Sequence, residues 1–131
     1  MNLFFSLPVI AHILIGFYFV FYGFWNIYHW IPLLKMMTEK GLPHPYLLLS
    51  IGIVLQSIAG YLIMFGFFVK LAALILIPFT ILSVFIFHPF WNFKGELRAL
   101  NFSIFMANMT ATLGALILLI SPINTIKDFL S

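Results

Sequence analysis

Three histidines, His29, His44 and His88, are the side chains in this sequence best suited to chemistry. An imidazole ring can ligate a metal, or it can donate and accept hydrogen bonds through its two nitrogens. No paired spacing such as HExxH links the three, so the sequence disfavours a metal site. Axial haem ligation needs two histidines on facing helices at similar depth. Only His29 with His88 could qualify, and nothing in the sequence shows that the two rings converge, so haem is disfavoured too.

A second set of candidates consists of uncharged polar side chains embedded in apolar sequence, namely Tyr22, Asn26, Gln56 and Asn108. Such side chains either form hydrogen bonds across a packed helix interface or line a polar pocket that accepts a lipid-soluble ligand. Both interpretations stay open. No Asp, Glu, Lys or Arg lies deep in the apolar stretches, so a proton relay built from carboxylates is disfavoured.

Thiol chemistry is excluded for this sequence, because it contains no cysteine and the thiolate is the reactive group of disulfide exchange. No Ser-His-Asp arrangement, P-loop or glycine-rich phosphate-binding loop occurs either. The residues show no catalytic constellation, and the sequence leaves open whether the protein is an enzyme.

The composition places these residues in a membrane. Of 131 residues, 64% are hydrophobic and 7% are charged, and the mean hydropathy is +1.18. In a soluble domain about 25% of all residues are charged, because its surface must face water. The nine charged residues leave four charge-free stretches, and each is long enough for the roughly 20 apolar residues that cross a bilayer. We predict four spans, at about 7–30, 46–66, 69–87 and 100–120.

The predicted fold is all-α, an integral membrane, antiparallel bundle of four transmembrane helices that forms a single domain over residues 1–131. A short interfacial helix over residues 32–40 follows the first span, because its leucines and methionines fall on one side and its polar residues on the other. Small residues at helical spacing predict where helices pack closely. These positions are Gly16, Gly23, Gly52, Gly60 and Gly114.

Spans that alternate in direction bring the end of the first, the start of the second and the end of the third to one membrane face. That face collects His29, His44 and His88 together with all three tryptophans, Trp91 among them. An aromatic belt with interfacial histidines is one interpretation. The other is a shallow site for a lipid headgroup or a quinone ring, with His88 or His44 as the hydrogen-bond partner.

Basic residues predict the orientation. We count Lys35, Lys40, Lys94 and Arg98 in the loops after the first and third spans, against Lys70 and Lys127 on the other side. The positive-inside rule therefore places loops 1–2 and 3–4 in the cytoplasm. Anionic lipid headgroups suffice to explain the net charge of +3, so no nucleic-acid partner is expected.

Three segments of the sequence are similar to a known family. They read GLPHPYLLLSIGIVLQSIAGYLIMFG, KLAALILIPFTILSVFIFHPFW and NFSIFMANMTATLGALILL. The most specific piece is His88-Pro89-Phe90-Trp91, placed at the end of the third span. In this order and spacing, the segments resemble the DoxX family of small bacterial membrane proteins, and the resemblance extends from residue 16 to about residue 119.

The resemblance implies a four-helix protein of the bacterial inner membrane. The family takes its name from a subunit of a membrane thiosulfate:quinone oxidoreductase, and other members associate with redox-defence enzymes. Many relatives carry lysine, glutamate and lysine where this chain has Asn26, Gln56 and Ala107. These three positions are neutral here, so the resemblance implies the fold without the proton-coupled or anionic-substrate chemistry of charged relatives.

Three functions follow as hypotheses. The first is a non-catalytic membrane subunit of a quinone-linked redox assembly, binding quinone or lipid near His88, Trp91 and Gln56; on this view the chain is at most one subunit of a membrane oxidoreductase. The second is a structural anchor that gathers partner proteins. The third is a small-molecule permease built from oligomers. Membrane lipid and redox proteins are the expected partners, and quinone is the candidate cofactor.

Overall fold

The computed structural model describes residues 6–121 and consists, within that range, of helices joined by short turns. Four of its helical segments are long and apolar enough to cross a membrane, namely Leu7–Tyr28, Pro45–Phe65, Val69–Asn92 and Gly95–Ile120. The prediction of an all-helical membrane protein is confirmed. The chain divides into two compact units, Met1–Phe68 and Val69–Ser131.

The first unit contains three helices, α1 (Leu7–Tyr28), α2 (Trp30–Glu39) and α3 (Pro45–Phe65). Gly16 of α1 lies against Met64 of α3. Gly23, seven residues later in α1, lies against Ser57, seven residues earlier in α3. The two long helices are therefore antiparallel. Their backbones come close because glycine has no side chain to hold them apart.

Helix α2 differs slightly from the prediction, since it begins at Trp30 rather than at residue 32. Pro32 still lies in the first turn, where a missing N–H removes no hydrogen bond inside the helix. The chain leaves the helix at Gly41, which has a φ of +74°. The N–H of Leu42 returns to the carbonyl of Met37 at 3.2 Å, which satisfies one of the last free carbonyls of the helix.

The second unit starts with α4 (Val69–Phe87), followed by a 3₁₀ turn (Phe90–Asn92). Helix α5 (Gly95–Ala107), a π-helical turn (Asn108–Thr112) and α6 (Leu113–Ile120) then run on without a break as the fourth span. This span begins five residues before the predicted start at residue 100. The prediction excluded Glu96 and Arg98, but both are exposed in the first turns of α5, where charge does not oppose helix formation.

Large apolar side chains are exposed on every long helix, among them Leu14, Phe24, Val54, Leu82 and Leu118. In water, so much exposed apolar surface would drive association. In a bilayer, lipid tails solvate the same side chains, and a helix satisfies most of its backbone hydrogen bonds internally. The distribution of apolar surface therefore agrees with four spans in lipid.

Thr80 of α4 gives a prediction about stability. Its side chain is 3% exposed, and its Oγ1 has no hydrogen-bond partner within the described residues. A buried polar group without a partner costs about 1–3 kcal/mol. We expect Thr80→Val, which replaces the hydroxyl with a methyl group of nearly the same shape, to raise the Tm of the protein in detergent.

The matched control for this prediction is Thr110→Val. The Thr110 hydroxyl donates to the carbonyl of Met106 at 2.6 Å, so the same substitution removes a satisfied hydrogen bond and should leave the Tm unchanged or lower it slightly. A Thr80→Val protein that melts at or below the wild-type temperature would contradict the prediction.

Candidate functional site

The most elaborate polar contact in the second unit joins His88 to Asn101. The Nδ1 atom of His88 lies 2.9 Å from Oδ1 of Asn101. The Nδ2 atom of Asn101 donates in turn to the carbonyl of Leu97, 2.8 Å away. Asn101 is 9% exposed, whereas His88 is half-buried. A buried amide thus holds a more accessible imidazole in a fixed orientation.

The local sequence explains why His88 stands where it does. Pro89 has no N–H and disfavours a helical residue before it, so α4 ends at Phe87. The N–H of His88 still bonds the carbonyl of Val84 at 2.9 Å, which holds the residue on the end of the helix. The 3₁₀ turn and Gly95, with a φ of +61°, then return the chain so that α5 runs antiparallel to α4.

Five aromatic rings pack together beside this turn. Phe90 and Phe105 are the centre of the cluster, and their ring centroids lie 5.2 Å apart. Trp91 lies 5.2 Å from Phe90 and 5.9 Å from Phe105, nearly perpendicular to both. Phe85 and Phe102 complete the cluster. The rings meet edge to face, the arrangement that the aromatic quadrupole favours.

We call His88, Asn101, Phe90, Trp91 and Phe105 the His88 site. Trp91 is 46% exposed, so the edge of the site is open to the surroundings. Lys94 and Glu96 are exposed only a few residues further along the chain, and charged side chains mark the boundary between hydrocarbon and water. The site therefore lies near the end of a span, where an apolar ring can approach from lipid and a polar group can stay close to water.

The first unit brings together two of the predicted polar residues. Asn26 of α1 donates from Nδ2 to Oε1 of Gln56 on α3, at 3.3 Å. Gln56 is 5% exposed and Asn26 is half-buried, so the pair links the two antiparallel helices. Tyr22, one turn before Asn26, is exposed and packs its ring against Tyr18 at 5.0 Å. The sequence left open whether these residues form a packing contact or a pocket; what the structure shows is one hydrogen bond that joins the two helices.

The other two histidines of the predicted set, His29 and His44, lie in the first unit. His29 has its Nδ1 at 3.0 Å from the carbonyl of Trp25 and stacks on that residue's ring at 4.3 Å. His44 is exposed and precedes α3 with a φ of +47°. Among residues 6–121, no group of three or more His, Cys, Asp or Glu is placed to hold a metal ion.

The remaining predicted residues fall into two kinds. Asn108 donates to the carbonyl of Ile104 at 2.9 Å, within its own helix. Gly16, Gly23 and Gly60 lie at the α1–α3 contact, and a Cβ on Gly60 would come within 2.8 Å of the Gly16 carbonyl oxygen. Gly52 is half-buried on α3. Gly114 differs, because a Cβ there would meet no atom of the described residues within 4 Å.

Sequence reasoning did not assign Asn101, Phe90 or Phe105 to a site. The available signal was the His-Pro dipeptide, which ends one helix and forces the chain to return, so that a polar residue on the next helix lies opposite the histidine. The π-helical turn at Asn108–Thr112 had no signal in the composition or in the periodicity.

Four apolar membrane-spanning helices, with the polar side chains of the site gathered near the end of a span, define a multi-pass membrane protein. The chain belongs to the DoxX family, whose model matches residues 7–89. It is 30% identical over 113 residues to inner membrane protein YphA of Escherichia coli strain K12, which covers 86% of this chain and 80% of the relative.

A second relative is inner membrane protein YqjF of the same organism. It is 32% identical over 113 residues, covering 86% of this chain and 82% of the relative. No solved structure matches the chain. With two relatives named as inner membrane proteins and four candidate spans of its own, the chain is a multi-pass inner-membrane protein of the DoxX family.

Proposed function

We propose that the protein is a non-catalytic membrane subunit of a quinone-linked redox assembly, and that the His88 site binds the quinone headgroup. The observation that carries the proposal is the His88–Asn101 hydrogen bond at 2.9 Å. A histidine held by a buried amide beside half-exposed aromatic rings offers both parts of such a site. The imidazole supplies a directed hydrogen bond, and the rings supply an apolar surface for a flat headgroup.

The position of the site suits a lipid-soluble ring. A quinone headgroup is polar at its oxygens and apolar over its faces, while its isoprenoid tail stays in the hydrocarbon. The His88 site combines exposed Trp91 with charged residues at the nearby end of the span. Its location between apolar surface and charged surface matches these opposing preferences.

Redox chemistry is assigned to a partner protein rather than to this chain. The sequence carries no cysteine and only three carboxylates, two of which, Glu39 and Glu96, are exposed on the described helices. The chain would then bind the quinone while a partner oxidoreductase transfers the electrons. We assign the loops after the first and third spans to the cytoplasm, where their four basic residues would face that partner and the anionic lipid surface.

The proposal is tested by measuring how much quinone co-purifies with the protein from its native membrane. Wild-type protein is purified in a mild detergent, and the organic extract is quantified by mass spectrometry. We expect close to stoichiometric quinone. We expect His88→Ala to reduce the amount at least fivefold, because the directed hydrogen bond is lost.

His12→Ala is the matched control. His12 lies in α1, and its Nδ1 is 2.6 Å from the carbonyl of Pro8 in the same helix, so its loss should leave the quinone content unchanged. Phospholipid alone in the wild-type extract would overturn the quinone proposal and favour the structural anchor. Equal loss of quinone in both variants would show that the His88 site is not where the quinone binds.

A further inference from the structure

The hydrogen bonds around His88 determine which of its nitrogens carries the proton. A carbonyl oxygen only accepts hydrogen bonds, so the Asn101 amide must turn its nitrogen toward Leu97, at 2.8 Å. Its Oδ1 then faces His88 at 2.9 Å. Because Oδ1 is also only an acceptor, the hydrogen of the contact must belong to His88 Nδ1. The orientation of one buried amide thus fixes the tautomer of the imidazole.

The second nitrogen of His88 is left as an acceptor. A neutral imidazole has a single N–H group, so Nε2 presents a lone pair. The His88 side chain makes no other hydrogen bond within residues 6–121. A ligand that meets Nε2 must therefore bring its own hydrogen. A hydroxyl group can do so, whereas a carbonyl oxygen would set its lone pairs against the lone pair of Nε2.

We infer that the His88 site takes the reduced, hydroquinone form of a lipid-soluble quinone in preference to the oxidised form. The hydroquinone hydroxyl donates to Nε2 of His88, and its ring lies against the aromatic residues of the site. Asn101 acts as a positioning residue, because it holds the tautomer without needing to touch the ligand. This inference rests on the proposed function, and it adds the redox state that the site selects.

Three probes that share one ring separate the two proposals. They are tetramethyl-1,4-benzoquinone, its hydroquinone, and the dimethyl ether of that hydroquinone, which has the same oxygens but no hydroxyl hydrogen. Binding to the purified full chain in detergent is measured anaerobically, and each affinity is corrected for the partition of the probe into protein-free micelles. We expect the hydroquinone to bind about five- to tenfold more tightly than either other probe, the effect of one additional hydrogen bond.

Variants test whether Asn101 is the cause of the selectivity. Asn101→Leu removes the acceptor for Nδ1 and frees His88 to adopt either tautomer, so the ratio of the hydroquinone affinity to the quinone affinity should fall toward one. Thr110→Val, which loses a hydroxyl bonded within the same span, should keep the wild-type ratio. Where Asn101→Leu fails to fold, His88→Gln replaces it, since a glutamine amide can present either its oxygen or its nitrogen.

Each outcome bears on one proposal. Equal or tighter binding of the quinone by the wild-type protein overturns the inference about redox state, while the proposed quinone site stands. A hydroquinone preference that persists in Asn101→Leu also overturns it, because the tautomer would not be the cause. Failure of all three probes to bind the wild-type protein overturns the proposed function itself.

Discussion

Gly16→Ala should lower the stability of the first unit by about 1–3 kcal/mol, the usual cost of forcing atoms into a packed contact. A Cβ at this position would lie 2.5 Å from the carbonyl oxygen of Gly60, 2.6 Å from the backbone nitrogen of Met64 and 2.9 Å from its Cα. All three atoms belong to the backbone of α3, so no side chain can rotate to make room. The helices must separate instead, and their remaining contacts loosen with them.

Two opposing contributions decide whether Gly16→Ala stabilises or destabilises the protein: the steric cost of the added methyl group and the higher helix propensity of alanine. Alanine is favoured over glycine inside a helix by about 1 kcal/mol, so the substitution would stabilise α1 if there were space for the methyl group. Gly114→Ala measures that gain, since no described atom lies within 4 Å of its added Cβ. We expect Gly114→Ala to melt at or slightly above the wild-type temperature and Gly16→Ala to melt well below it.

Two more glycines make the test a graded series. A Cβ on Gly60 would lie 2.8 Å from the Gly16 carbonyl oxygen and 2.9 Å from Cγ2 of Val20, so Gly60→Ala should also be costly. A Cβ on Gly23 would collide chiefly with the Ser57 hydroxyl, which can rotate away, so Gly23→Ala should cost less. The Tm in one detergent gives the order. A Gly16→Ala protein no less stable than Gly114→Ala would show that the α1–α3 contact is not as close as the structure has it.

The sequence was sufficient to predict the membrane class and the number of spans. A charged side chain is strongly disfavoured in hydrocarbon, and the nine charged residues leave only four uncharged stretches long enough to cross a bilayer. The third span begins at residue 69, as predicted, and the second begins at residue 45 rather than 46. The start of the fourth span was less predictable. Glu96 and Arg98 lie in the first turns of α5, and charged residues there mark the level of the membrane surface without marking the end of the helix.

The candidate site was only partly predictable, for a physical reason that His88 illustrates. A sequence shows that a histidine follows an apolar helix and precedes a proline, and this indicates a residue near the membrane surface. It does not show which residue of the returning helix will face the imidazole, since one turn of α5 offers several positions. The length of the 3₁₀ turn and the positive φ of Gly95 determine that Asn101 is the residue that faces His88. Neither has a signature in hydrophobic periodicity.

The glycines also show that the sequence alone does not predict which residues meet across two helices. Gly16, Gly60 and Gly114 look equivalent in sequence, each a small residue inside an apolar span. The structure separates them, because two of them lie at a contact between helix backbones, whereas no atom of the described residues lies within 4 Å of a Cβ added to the third. Small residues permit close approach in lipid, but only the pairing of helices determines whether the approach takes place.

Phe90→Ala should weaken the aromatic cluster of the second unit and lower the stability of that unit. The Phe90 ring is paired with Trp91, Phe102 and Phe105 at centroid distances of 5.2, 4.9 and 5.2 Å, with interplanar angles of 77°, 85° and 71°. Aromatic pairs contribute about 0.5–1.5 kcal/mol each. Burial of apolar area adds little where lipid is the alternative solvent, so the loss is set by the pairs. We expect a loss of about 2–3 kcal/mol from three such pairs.

The same substitution should also weaken ligand binding at the His88 site, because Phe90 packs the turn after His88 against two rings of α5. Without it, Trp91 and Phe105 retain only their mutual contact at 5.9 Å and their contacts with Phe85, and the spacing of α4 and α5 is less firmly held. Phe24→Ala is the control, since Phe24 is 59% exposed and forms no ring pair within the described residues. We expect Phe90→Ala to lower both the Tm and the quinone content, and Phe24→Ala to change neither. Equal Tm values for the two variants would mean that lipid packs around the truncated side chain as well as the aromatic cluster packs around Phe90.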